Sequence, residues 1–168
     1  MPHLVLARHA TAARPPVADF DRPLTEAGSA EAAAAGEHLT RYPLTHLVAS
    51  AALRTVQTGE AVVRALTERA GSGAPGNTGD APVLHTDRAL YEADIDAWLE
   101  VIATIPETAT GAYIVGHEPT VSAVIGHLCP ALGVPQRFRP SSVAVFELPH
   151  WGLAPGDYPM PEIRNFKD

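Results

Sequence analysis

Three short stretches place costly side chains where an apolar run ends. LVLARHATA at residues 4 to 12 carries Arg8 and His9, SAALRTVQT at 50 to 58 carries Arg54, and YIVGHEPTV at 113 to 121 carries His117. Arginine presents a planar fork of donors that matches phosphoryl oxygens. Histidine can attack, donate or shuttle a proton near neutral pH. Taken singly, each has an ordinary explanation: a satisfied histidine at a strand end, a surface ion pair, a solvated helix residue. Taken together, two arginines and two histidines from distant parts of the chain suit one dianionic phosphoryl group.

That chemistry requires elements that bring the residues to one edge. Residues 3 to 7, HLVLA, predict a buried strand ending at Arg8 and His9. Thr25 is an expected N-cap, with Glu26 at the positive end of the helix dipole. The alanine-rich run to Leu39 favours helix, against which Gly28 and Gly36 count. Leu47 to Ala49 predict a second strand, and Ser50 is the expected cap of the helix after it. In that helix Leu53, Val56, Val63 and Leu66 recur at helical spacing and predict its inner face. Val83 to His85 predict a short strand. Asp94 is the expected cap of a helix carrying Ile95, Trp98, Leu99 and Ile102. Ala112 to Val115 predict a strand that ends at Gly116 and His117. Pro119 fits the first turn of the next helix, whose inner face is Val121, Val124, Ile125 and Leu128. Val143 to Leu148 read as a last strand, followed by a proline-rich surface tail over 149 to 168. A glycine-rich flexible loop is expected over 71 to 82. It lacks the Gly-Lys-Ser/Thr ending of a phosphate-binding loop.

Alternating strands and helices predict an α/β fold: a three-layer α/β/α sandwich with a mostly parallel central sheet and helices on both faces. In such sheets ligands bind beyond the carboxyl ends of the strands, where Arg8, His9, Ser50 and His117 are expected. With 168 residues and 46% hydrophobic content, one domain spanning 1–168 is expected. No apolar run reaches the roughly 18 residues of a membrane span, and the N-terminus has no secretion-signal pattern. Cys129 is the single cysteine, so no internal disulfide forms and a cytoplasmic setting is expected. A formal charge of −7 argues against a nucleic-acid partner. It leaves room for a locally positive pocket.

The motifs ARHATA, DRPLTEAG, SAALRTVQT and VGHEPTV, in this order and spacing, resemble those of the histidine phosphatase superfamily. The short chain and the D-R-P-L-T stretch most resemble its SixA-like phosphohistidine phosphatase branch. The likeness runs from about Leu4 to Leu148. It implies that His9 is a nucleophile forming a phosphohistidine intermediate, and that Arg8, Arg54 and His117 bind the equatorial oxygens. It implies no metal and no cofactor. Many members carry glycine where this chain has Ala10, which points weakly to the SixA-like branch.

Elementary electrostatics adds an expectation: Arg8 and Arg54 should hold His9 neutral, and a buried backbone carbonyl should fix its tautomer. Glu92, in ALYEADI, is a candidate general acid or else a solvated residue before a helix. Thr11 and Arg22 are further candidate substrate contacts, and Arg22 reads equally as a loop partner of Asp19 or Asp21. The other histidines show no metal-ligand spacing, and HEPTV is not H-E-x-x-H because Val121 replaces the second histidine. Cys129 lacks an arginine after five intervening residues and is expected to be a core thiol. The expected partner is a phosphorylated protein, with phosphohistidine preferred, or a small phosphorylated metabolite. A non-catalytic phosphate-binding module is the remaining alternative.

Overall fold

The computed structural model describes residues 1–71 and 82–167. The expected loop at 71 to 82 lies almost wholly outside the described residues. Six strands form one sheet: β1 (His3–Arg8), β2 (His46–Ser50), β3 (Leu84–Asp87), β4 (Gly111–Gly116), β5 (Ser142–Glu147) and β6 (Glu162–Asn165). Their spatial order is β3-β2-β4-β1-β5-β6. The first four strands run parallel, while β5 and β6 are antiparallel additions at one edge. Among the described residues four α-helices complete the fold: α1 (Glu26–Leu39), α2 (Leu53–Gly71), α3 (Ile95–Ala103) and α4 (Thr120–Leu128).

Side chains alternate across a strand, and the core divides accordingly. Leu4, Leu6, Ala112, Ile114, Ala144 and Phe146 face one side, where Trp98 and Val101 of α3 pack with Val121, Val124, Ile125 and Leu128 of α4. Val5, Ala7, Leu47, Ala49, Tyr113, Val115 and Val143 face the other, against Leu39 of α1 and Val62 of α2. The central strands are therefore apolar on both faces, as a covered parallel sheet requires. The expected three-layer sandwich is what forms.

Several local expectations hold. Thr25 caps α1 by accepting from Gly28 N–H, and Asp94 caps α3 by accepting from Ala97 N–H. Cys129 is a buried free thiol at the end of α4. Pro119 stands at the cap position of α4, one residue before its first turn.

Four expectations need correction. Ser50 does not cap α2; its hydroxyl pairs with His117, and its carbonyl accepts from Thr55 Oγ1. Val63 and Leu66 do pack on the core from α2, but Leu53 is exposed, and the fully buried face of the helix is Arg54, Thr55, Thr58, Gly59, Ala61 and Val62. That face is small and polar because it abuts α1 and the polar site at the strand ends. The third strand starts at Leu84 rather than at the exposed Val83. Finally, the strand at 142–147 is not the last: the tail returns as β6, pairing Val143 with Arg164 and Val145 with Glu162. No helix among the described residues is long and apolar enough to cross a membrane.

Candidate active site

The register of the sheet assembles the site. Arg8 and Gly116 are partners on neighbouring parallel strands, so the residues that follow them, His9 and His117, emerge side by side. His9 N–H donates to Gly116 O at 3.1 Å, and the two imidazole centroids lie 5.4 Å apart. Gly116 tolerates no side chain, because a Cβ there would collide with the buried Trp98 ring. Arg54, in the first turn of α2, is buried beside them. Residues far apart in sequence thus meet at the carboxyl ends of β1, β2 and β4.

His9 is buried and held in one tautomer. Its Nδ1–H donates to Ala10 O at 2.7 Å, leaving the Nε2 lone pair free. Its pKa is pushed down to about 3, first by burial, with His117, Arg54 and Arg8 adding to the effect and the Ala10 bond opposing it. The sequence assigned that shift to the arginines; burial is the larger cause. Ala10 N–H donates to Thr58 Oγ1, which itself donates to Arg54 O, tying the His9 loop to α2. The positive-φ non-glycine positions are Glu92 and Ser141, so Ala10 needs no glycine-like backbone.

His117 Nε2 lies 2.8 Å from Ser50 Oγ, and its pKa falls to about 4, chiefly through burial and then Arg54. Arg8 Nη1 donates to Phe138 O at 3.1 Å. Arg54 is gripped at two points by one residue, donating from Nη1 to Asp19 O and from Nη2 to Asp19 Oδ2. Arg8 Nε, Arg54 Nε and His117 Nδ1 are buried with no hydrogen-bond partner. Unpaired buried nitrogens are costly, and an oxyanion would supply the acceptors that donors in this cluster lack.

Three residues to which the sequence reading gave no role in the site organise this centre. Asp19 takes Arg54, Arg22 Nη1 at 3.0 Å and the Tyr91 hydroxyl at 2.8 Å. The Tyr91 bond and then the two arginines hold its carboxyl far below the usual carboxylate range. Tyr91 sets its ring edge-on to His117, with centroids 5.6 Å apart. Glu31 of α1, itself buried, accepts from Thr11 N–H, Thr11 Oγ1 and Ser141 Oγ. Ser141 N–H in turn donates to His9 O at 3.0 Å. An acid three residues before Arg22 was the one sequence signal for Asp19. Glu31 had no signal beyond being an acid inside an alanine-rich helix.

The remaining candidates stand further out. Thr11 is engaged by Glu31 and by Lys167 Nζ. Arg22 is bound to Ala13 O and Asp19, which is the loop pairing its sequence context allowed. Glu92 is exposed beside Tyr91, in a left-handed conformation with φ 57°. Glu118, next to His117, is spent on the first turn of α4, where it accepts from Ser122 N–H and Oγ.

Fold and site define an α/β protein with a cationic, histidine-bearing cup at the strand ends. The chain matches the histidine phosphatase superfamily (branch 1) over residues 4–72. It is 30% identical to a protein named as a SixA phosphohistidine phosphatase from Nakamurella multipartitia, covering 86% of this chain and 83% of that one, with a TM-score of 0.68. A structure of the protein histidine phosphatase SixA with tungstate shares the fold, with a TM-score of 0.70 and 24% identity over 87% of this chain and 88% of that one. The Mycobacterium leprae protein ML1117 is 39% identical over 110 residues, which are 64% of this chain and 58% of that protein. This chain belongs to the histidine phosphatase superfamily, on its SixA-like branch.

Proposed function

We propose that the protein is a metal-independent phosphatase that removes a phosphoryl group from protein phosphohistidine through a covalent intermediate on His9. The observation that carries this reading is the His9 imidazole, buried, uncharged and fixed by Ala10 O with its Nε2 lone pair free.

Nε2 attacks phosphorus in line, forming the N–P bond as the bond from phosphorus to the leaving group breaks. The leaving group keeps that electron pair and takes a proton from solvent, or from a general acid where the leaving atom is an alkoxide oxygen. Water then attacks phosphorus and gives one proton to solvent; the N–P bond breaks with its pair returning to Nε2, and hydrogen phosphate departs with the water oxygen. Arg8, Arg54 and His117 hold the three equatorial oxygens and stabilise the charge that spreads over them in the transition state. The neutral form of His9 is the one that can attack, so no deprotonation precedes the first step.

Leaving-group chemistry favours phosphohistidine over an alkyl ester. An imidazole nitrogen leaves far more readily than an alkoxide and demands less of a general acid. Glu92, exposed and next in sequence to Tyr91, is the candidate carboxyl for protonating an oxygen leaving group. Parallel assays on a histidine-phosphorylated protein and on a panel of phosphorylated metabolites test the reading, with Glu92→Gln beside the wild type. Turnover of the phosphoprotein that survives Glu92→Gln is expected. Turnover confined to alkyl esters and abolished by Glu92→Gln would make the protein a small-metabolite phosphomonoesterase instead.

A further inference from the structure

A continuous series of ring contacts leads outward from His9. The His9 imidazole lies 5.4 Å from that of His117, whose ring lies 5.6 Å from Tyr91, whose ring lies 5.0 Å from Phe20. Exposure rises along this path: His9 is buried, whereas Tyr91 and Phe20 are both half-buried. The Tyr91 and Phe20 rings meet nearly at right angles, at 83°, and the Arg88 guanidinium sits over Phe20 at 4.7 Å. Neither aromatic is needed to hold the oxyanion, and neither belongs to the buried core clusters.

We infer that Tyr91, with Phe20 beside it, is a specificity wall that recognises a flat aromatic or heteroaromatic leaving group on the phosphoryl compound. The inference rests on the phosphatase reading above and narrows its substrate class. Three features support it. Tyr91 stands next to His117, so a group attached to a phosphorus held between His9, Arg54 and His117 passes this wall on its way to solvent. The phenol is pinned to Asp19 at 2.8 Å, so the ring is fixed before any ligand arrives and little ordering remains to be done on binding. Aromatic rings with an arginine over one of them attract other π-systems beyond simple area burial, through offset or edge-on contact and cation–π attraction. The imidazole of phosphohistidine and the ring of an aryl phosphate both present such a surface. A short alkyl chain does not.

Phosphonates isolate this recognition, because they bind without turnover. Calorimetric titration with phenylphosphonate and methylphosphonate gives a ratio of affinities for the wild type and for Tyr91→Leu, Tyr91→Phe and Phe20→Leu. The wild type is expected to prefer the phenyl compound by about fivefold or more. Tyr91→Leu should bring the ratio near one, Phe20→Leu should lower it, and Tyr91→Phe should keep most of it. Should Tyr91→Leu fail to fold, Phe20→Leu decides the matter. A wild-type ratio near one, or a ratio untouched by either leucine variant, would overturn the inference. Failure of the phosphatase reading appears elsewhere, as the absence of a phosphoryl group on His9, and leaves this ratio readable.

Discussion

Asp19 grips Arg54 at two points, with its carbonyl oxygen 2.7 Å from Nη1 and its carboxylate 3.0 Å from Nη2. One exposed residue on the short turn Asp19–Asp21 thereby aims the guanidinium of a buried one. The same carboxylate also takes Arg22 and Tyr91, so it fixes the geometry of the cationic cup from the rim side.

Asp19→Asn is expected to lower kcat/KM by on the order of tenfold, because a loosened arginine meets the phosphoryl oxygens less often in the productive orientation. Thermal stability should change little, since Asp19 is half exposed and exposed ion pairs contribute weakly. Steady-state kinetics beside a melting curve separates the two effects. A large fall in stability with unaltered kinetics would show that Asp19 serves the fold rather than the arginine.

Glu31→Ala should destabilise the protein by about 2 kcal/mol. It strands Thr11 N–H, Thr11 Oγ1 and the buried Ser141 Oγ without their acceptor. Because Ser141 also holds His9 O, kcat should fall as well. Urea titration measures the first effect and single-turnover kinetics the second. Glu31→Gln, which keeps an acceptor oxygen, should recover part of both.

Stability should fall as the medium is acidified from pH 7 to 5. His9 and His117 have folded values pushed down to about 3 and about 4, below the ordinary histidine value of 6.5. Between those limits the unfolded chain binds more protons than the folded one, so stability rises with pH through the window and is lost below it. The two rings together lose roughly 3 to 4 kcal/mol between pH 7 and pH 5. Replacing His9 by Asn should flatten the profile of urea midpoint against pH. In NMR titrations the His9 ring should show no inflection near 6.5.

Much of this was legible in the sequence because the signals were local. The strands ending at Arg8 and His117 are short apolar runs, Thr25 and Asp94 carry recognisable caps, and the paired motifs identify four side chains of one cup. What escaped depends on contacts made only after folding. The tail strand β6 is exposed along its whole length and shows no apolar alternation, so its pairing with β5 leaves little trace in its residues. Periodicity finds Val63 and Leu66 on the inner face of α2 but fails at its start, where Arg54, Thr55 and Thr58 are buried for hydrogen bonding and Leu53 points outward. Gly28 counted against α1 in propensity, yet it is required: a Cβ there would strike the Thr11 carbonyl. Tyr91 and Glu31 act across long separations and nothing in their own neighbourhoods marks them out, while Asp19 was visible only as a partner of Arg22, not as the residue that holds Arg54.

In the proposed reaction His9 Nε2 is the atom that takes the phosphoryl group. Rapid quenching of the wild-type protein with a histidine-phosphorylated protein substrate, followed by peptide mass spectrometry under alkaline conditions, tests this directly. An acid-labile phosphoryl group on His9 that forms and decays at the rate of turnover, and is absent from His9→Ala, is the expected result. Undiminished phosphate release by His9→Ala, or turnover with no phosphoryl group ever found on His9, would contradict it.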